Sequence, residues 1–178
     1  FNANGANVTL GEALNNFIGA VSVTNADDVA IADANDLVLG GIVAGDDVTL
    51  TVVGAISDGN NGAVNITGDL LTVTGGTGFG TAANGVETIV NTVTATGIGA
   101  GGFSMKNTGD LTIAGIALVA AGDVNVEAAS DMTIAATIDA AGGNVTLTAS
   151  ESILSTVAAG TLDIDNALTA TLVAGGGA

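Results

Sequence analysis

The chain has almost no basic residues. Lys106 is the only lysine or arginine among 178 residues, against 18 acidic residues, and the formal net charge is −17. Such a chain cannot neutralise a phosphate backbone, and an anionic membrane surface repels it. We therefore expect no nucleic-acid partner and no membrane insertion.

Histidine, cysteine, tryptophan, tyrosine and proline are all absent. Without histidine or cysteine there is no catalytic triad, no thiolate chemistry and no conventional zinc site. Without tryptophan or tyrosine the chain also lacks the aromatic surfaces that usually stack on sugars and bases. We expect a protein that is not an enzyme. A polysaccharide-active enzyme is a remote alternative, since paired carboxylates can hydrolyse glycosides.

The residues that are present favour an ordered β protein. Hydrophobic residues make up 48% of the chain, there are 28 glycines, and the mean hydropathy is +0.63. A disordered chain is poor in such apolar residues, and the abundant Val, Ile and Thr favour strands over helices. No apolar run reaches the ~18 residues that a membrane-spanning helix needs.

A short unit of Asp or Asn followed by alternating apolar and small residues recurs about every 21 residues. Its first apolar residues are Val8, Val29, Val48, Leu70, Val93, Leu111, Met132 and Ile153. A second apolar series comprises Val21, Ile42, Val64, Val86, Phe103, Val124 and Val145. A third, looser series comprises Ile18, Val38, Ile56, Ile98, Ile116, Ile138 and Val157.

The repeat predicts an all-β fold, a single parallel β-helix (β-solenoid) over residues 1–178. Alternation of apolar and polar residues is typical of half-buried strands, and glycine pairs such as Gly142-Gly143 suit the corners between them. We expect about eight coils, each with three short strands, stacked into a rod about 40 Å long at ~4.8 Å per coil. The chain is interpreted as a mature form, or as a fragment or repeat unit of a longer secreted protein.

Acidic and amide residues precede the first series and predict a ladder of corner side chains. The ladder comprises Asn7, Asp28, Asp47, Asp69, Asp110 and Asp131. Such side chains accept hydrogen bonds from nearby backbone N–H groups in turns. Stacked carboxylates also repel one another, and a bound Ca²⁺ would relieve the repulsion. The alternatives are therefore turn chemistry alone, with no cofactor, or a Ca²⁺ site at the doublets Asp27-Asp28 and Asp46-Asp47. The segment 58–62 is interpreted as an ordinary turn.

Threonines occupy many of the outward positions beside the first series. Flat Thr-x-Thr arrays resemble those of ice-binding solenoids, which makes ice binding a further remote alternative. The motifs at 49–51, 72–74, 92–94, 146–148 and 169–171 are not expected to share one column, so the simpler prediction is an exposed strand surface. The sequons at Asn7, Asn65 and Asn144 are interpreted as corner residues rather than as glycosylation sites.

The sequences Gly-Asp-Leu-Thr-Ile-Ala at 109–114 and Gly-Gly-Asn-Val-Thr-Leu-Thr-Ala at 142–149 resemble the repeats of filamentous-haemagglutinin and two-partner-secretion adhesins. The resemblance implies a secreted bacterial protein whose solenoid extends from the cell surface. We therefore expect a structural rod segment, either an adhesin shaft or part of an extracellular fibre. The alternative is a filament or sheath subunit that stacks end to end, with divalent cations bridging the subunits. Its partners would be copies of itself or neighbouring coils, together with a receptor that the sequence does not identify.

Overall fold

The protein is a stack of short parallel strands, and successive coils add to one β-solenoid. The computed structural model describes residues 1–159, 161 and 163–175, so the end of the predicted domain, 176–178, lies outside the described residues. The predicted all-β parallel solenoid of about eight coils is confirmed. Its strands are β1 Val8–Leu10, β2 Val21–Ala26, β3 Val29–Asp33, β4 Leu37–Ala44, β5 Val48–Val52, β6 Ala55–Asp58, β7 Ile66–Thr67, β8 Leu70–Gly75, β9 Gly78–Phe79, β10 Val86–Ile89, β11 Thr92–Ile98, β12 Phe103–Asn107, β13 Leu111–Leu118, β14 Val124–Ala128, β15 Met132–Ile134, β16 Ile138–Asp139, β17 Asn144–Ala149, β18 Ile153–Ser155, β19 Ile164–Asp165 and β20 Thr169–Ala174.

Two parallel sheets run the length of the stack. The first sheet has the order β1-β3-β5-β8-β11-β13-β15-β18, with one strand from each coil. In the second sheet β2, β4, β7, β10, β12, β14, β17 and β20 pair in turn, again in parallel. Proline is compatible with neither sheet interior, because each inner strand uses its N–H groups for a neighbouring coil.

The third strand of the predicted coil differs from coil to coil. In some coils it is a separate two-residue strand, such as β16. In others it continues from a strand of one of the main sheets: β13 pairs with β15 through its first residues and with β16 through Ile116 and Ala117. Gly115, with a φ of 132°, lies between these two parts and allows the change of direction.

The core is a narrow column of mostly aliphatic side chains between the sheets. In β5, Val48, Leu50 and Val52 are buried, whereas Thr49 and Thr51 point outward. This alternation repeats along the stack, so like residues pack on like without large aromatic groups. Phe79 and Phe103 are the exception, with stacked rings 4.7 Å apart at the point where β9 pairs with β12.

The register of the first series is confirmed at some coils and wrong at others. Val8, Val29 and Val48 lie above one another, as do Leu111, Met132 and Ile153. However, Val48 pairs with Leu71 rather than Leu70, and Val93 pairs with Ile113 rather than Leu111. The apolar doublet at 70–71 offers two frames, and only the second buries Leu71 and Val73 on the core face.

The second and third series need similar corrections. Phe103, Val124 and Val145 share a column as predicted. Val64 is exposed and Ile66 takes its place beside Ile42, because the loop before β7 displaces the frame by two residues. Ile116 pairs with Ile138 as predicted. Other members differ from the prediction: Val21 pairs with Leu39, Val86 with Met105, and Leu37 rather than Val38 with Ile56, while Ile18 is 93% exposed.

Some corners require glycine because the coils approach one another closely. A Cβ on Gly143 would overlap the carbonyl of Gly122 in the coil below. Gly122 is in turn close to the backbone of Gly102, so three successive coils have no room for a side chain at this corner. Within the described ranges, no helix is long and apolar enough to cross a membrane.

Candidate functional site

The predicted acidic ladder lies at the corner that precedes the first sheet. Asp28 connects the first three coils: its Oδ2 accepts a bond from the Asn7 amide at 2.8 Å, and its Oδ1 accepts the Asp47 N–H at 3.3 Å. The Asn7 Oδ1 atom accepts the Asp28 N–H at 3.2 Å. These side chains therefore bind the backbone of the next coil, which is the chemistry of a turn ladder.

The same pattern recurs towards the other end of the stack. The Asp110 carboxylate accepts the Asp131 N–H at 3.3 Å, and the Asp131 carboxylate accepts the Ser152 N–H at 3.0 Å. Bonds from the Ser130 hydroxyl and from the Asp131 backbone lower the pKa of Asp110. Each such bond favours the ionised carboxylate and joins two coils.

The ladder is interrupted between Asp47 and Asp69. The Asp69 N–H donates to the backbone carbonyl of Asp46 at 2.7 Å, so Asp69 stacks on Asp46 instead of Asp47. The cause is the extra residue that shifts Leu71 onto Val48 in the following strand. As a result, carboxylate oxygens of Asp46, Asp47 and Asp69 lie within 4.8 Å of one another. We call these three residues the acidic triad.

The acidic triad is electrostatically strained. The pKa of Asp46 is raised, mainly by the charge of Asp47, then by burial and by the charges of Asp28, Asp69 and Asp27. Thus Asp27 and Asp28 contribute to the field, but they are not members of the triad. Asn91 donates to Asp69 Oδ1 at 2.6 Å, whereas no residue in the described part of the chain donates to the carboxylates of Asp46 or Asp47.

Of the four candidate Ca²⁺ ligands, Asp46 and Asp47 belong to the acidic triad together with Asp69, whereas Asp27 and Asp28 lie outside it. The sequence could not identify Asp69 because its contact depends on the one-residue register change. A shallow groove of about 400 Å³ borders the triad and is lined by Gly45, Gly68 and Asn91, among others. Carboxylate oxygens at an open corner suit a hard cation such as Ca²⁺, which takes six to eight oxygen ligands including water.

The segment 58–62 forms a turn around Asp58. Its Oδ1 accepts the Asn60 N–H at 2.7 Å and the Asn65 amide at 2.9 Å, and its Oδ2 accepts the Asn84 amide at 3.0 Å. Burial acts to raise the pKa of Asp58, but these hydrogen bonds outweigh it and the pKa is lowered. Asn65 is completely buried, so in the folded chain its amide is not accessible to a glycosyltransferase.

Sequence analysis missed a second ladder, at the corner that precedes the second sheet. Asp123 Oδ1 accepts both the N–H and the amide of Asn144, at 2.9 and 3.0 Å. The Thr169 hydroxyl continues the ladder by donating to Asn144 Oδ1 at 2.7 Å. The signal was present in the sequence, because Asp123, Asn144 and Thr169 each precede or begin a strand of the second sheet.

A buried asparagine was also missed. Asn107 accepts bonds from the Val90 N–H at 3.0 Å and the Thr88 hydroxyl at 2.9 Å. Its amide donates to the carbonyls of Val90 at 3.0 Å and Asp110 at 2.9 Å. The side chain thus replaces the backbone pairing that is lost where the chain turns between the sheets.

Two buried oxygens have no hydrogen-bond donor in the described part of the chain: Asn60 Oδ1 and Glu87 Oε2. Glu87 lies beside Lys106 on the second sheet, and Lys106 lies beside Glu127 on the next strand. The single cation of the chain is therefore placed between two carboxylates, where opposite charges on adjacent strands attract.

As expected, the five Thr-x-Thr motifs do not share one column, since those at 146–148 and 169–171 lie on the second sheet. The outward threonines of the first sheet nevertheless form an ordered array of their own. Thr49, Thr72 and Thr94 lie in one column. Thr51, Thr74 and Thr96 lie in a second column, two residues along the same strands. A third column contains Thr92, Thr112 and Thr133. The motifs at 49–51 and 72–74 are thus in register with each other and with 94–96, and we call these nine residues the threonine face.

Comparisons with known proteins add no relatives. No family model matches the chain, and neither a curated protein nor a solved structure matches it.

Proposed function

We propose that the protein is a non-catalytic structural rod segment of a secreted bacterial surface protein, serving as an adhesin shaft or as part of an extracellular fibre. The observation that supports this most directly is the uninterrupted parallel pairing of the first sheet through eight strands. Each coil is held by its neighbours through backbone bonds and a common core. Such an array gains length and stiffness by adding coils.

The ladders contribute to this mechanical role. The carboxylates of Asp28, Asp110 and Asp131 each accept a backbone N–H from the next coil. These bonds lie along the rod axis, so pulling the coils apart breaks them together with the strand pairing. The adhesin-like repeats at 109–114 and 142–149 support the assignment to the bacterial cell surface.

Catalysis is the weaker interpretation of the acidic triad. A raised carboxyl pKa next to a second carboxylate is a feature of glycosidases. The groove beside the triad is lined by Asp46, Asp69 and Asn91 together with small and aliphatic residues, but none of its lining residues is the aromatic or basic group on which sugar binding usually depends. The release of reducing ends from a panel of polysaccharides would contradict a purely structural function.

End-to-end assembly is the second candidate, and one observation favours it. In β20, Ala170 and Leu172 continue columns that include Val145 and Leu147. Leu147 is fully buried, whereas Leu172 is 49% exposed, so this coil presents core positions to its surroundings. Further coils, or a second copy of the chain, would cover them. Divalent cations at the acidic triad would reduce the repulsion between such acidic rods.

A comparison of particle shapes tests the rod and separates the two candidates. Small-angle scattering and negative-stain microscopy should be recorded for the chain and for an in-frame tandem of two copies, with and without Ca²⁺. A shaft segment predicts monomers whose long dimension increases by about 40 Å in the tandem, at ~4.8 Å per coil. A filament subunit predicts fibres of constant width. Compact particles with no increase in length would contradict both candidates.

A further inference from the structure

The threonine face offers a second, independent function. It occupies the outer surface of β5, β8, β11, β13 and β15. Three of its strands, β5, β8 and β11, pair without a bulge through both columns. The register first shifts between β11 and β13. The central part of the face is therefore a regular two-dimensional grid, three coils by two threonines.

The grid has two fixed repeats. Adjacent parallel strands place equivalent threonines ~4.8 Å apart, and alternate residues within a strand place them about 6.6 Å apart. These repeats are close to oxygen–oxygen repeats in the surface planes of hexagonal ice. Because threonine is β-branched, its χ1 angle is restricted and the hydroxyl and methyl groups keep their positions.

The threonine hydroxyls are free to bind water. None of the nine makes a hydrogen bond to another residue within the described ranges. The strands also present no charged side chain between the two central columns, since Leu50, Val73 and Ala95 point into the core. The outer surface of the second sheet is different, because Glu87, Lys106 and Glu127 lie in one row there.

The geometry points to an ice surface as the ligand of the threonine face. Fixing a water molecule costs up to about 2 kcal/mol of entropy, and in ice this cost has already been met by crystallisation. Each threonine can then hydrogen-bond to a lattice water while its methyl group fills the space between waters. The individual contacts are weak, but the rigid grid makes them at the same time.

Thermal hysteresis, the gap between melting and freezing temperatures in the presence of a seed crystal, tests the inference with the full chain. Thr72→Lys places a long charged side chain at the centre of the grid. Thr148→Lys is the matched control, because Thr148 points outward from β17 on the second sheet, beside Glu127. We expect hysteresis and faceted ice crystals for the unmodified chain and for Thr148→Lys, with at least a tenfold loss of activity in Thr72→Lys.

Circular dichroism melting curves establish that each variant folds. Should Thr72→Lys unfold, Thr74→Lys replaces it, since Thr74 lies on the same strand of the grid and is more exposed. An unmodified chain without hysteresis at millimolar concentration would overturn the inference. So would an equal loss of activity in folded Thr72→Lys and folded Thr148→Lys. Neither result would bear on the rod, which is tested by particle shape.

Discussion

Replacing Leu70 or Leu71 by alanine tests the register at the point where sequence and structure disagree. Leu71 is completely buried and lies between Val48 and Val93 of the adjacent coils. Truncating a buried leucine costs about 2–5 kcal/mol, the sum of lost apolar transfer and the cavity left behind. Leu70 is partly exposed and pairs with Thr92 on the outer face, so its truncation should cost less than about 1 kcal/mol.

The two variants carry the same substitution at adjacent positions, so each is the control for the other. Urea denaturation followed by circular dichroism gives the free energy of unfolding. Because coil arrays can unfold in parts, amide hydrogen exchange in β5, β8 and β11 provides a local second measurement. Equal losses in the two variants, or a larger loss for Leu70→Ala, would refute the register and with it the position of Asp69 in the acidic triad.

The remaining predictions concern the corners. Asp46→Asn should raise the melting temperature at pH 7, because the neighbouring charges that raise the pKa of Asp46 also destabilise its ionised form. The gain in melting temperature should decrease with added salt, and it should vanish below the ordinary pKa of 3.8, where the native residue is already protonated. Millimolar Ca²⁺ should raise the melting temperature of the unmodified chain relative to EDTA, by an amount equivalent to about 2.7 kcal/mol at a hundredfold excess over Kd, and should have less effect on Asp46→Asn. If the melting temperature does not change, the acidic residues serve only as turn residues. Asn107→Ala should cost about 3 kcal/mol or more in urea denaturation because several buried backbone groups lose their partner, and a loss below ~1 kcal/mol would contradict that role. Gly143→Ala should destabilise the fold by at least about 2 kcal/mol, because the added Cβ would overlap the backbone of the neighbouring coil. Gly19→Ala is the control and should change stability by less than about 1 kcal/mol, since a Cβ there meets nothing within 4 Å. Similar values for both variants would contradict the close approach of the coils.

The sequence predicts the architecture well because a solenoid repeats a single local rule. Alternating apolar residues, corner glycines and a period of about 21 residues all specify the same stacked coil. The exact register is less accessible, since an apolar doublet such as Leu70-Leu71 satisfies the pattern in two frames. Only the packing of Leu71 between neighbouring coils decides between them.

The site depends on that same register. Asp46 and Asp47 could be identified from their adjacency, but the approach of Asp69 follows from a one-residue change that the periodicity conceals. The threonine face was missed for a similar reason. Its third pair is Thr94 and Thr96 rather than Thr92 and Thr94, and the difference is visible only when β11 is aligned with β8.

Distances between spin labels on equivalent outward residues test the coil stack most directly. Thr9 and Thr94 are separated by four successive pairings of the first sheet, through Ala30, Thr49 and Thr72. Leu70 and Leu154 are likewise four pairings apart, through Thr92, Thr112 and Thr133. Double electron–electron resonance should give narrow distributions with the same backbone separation for both pairs, about 19 Å at ~4.8 Å per coil, after allowance for the label linkers. Broad distributions, or separations that differ by more than two coil spacings, would contradict the stacked coil.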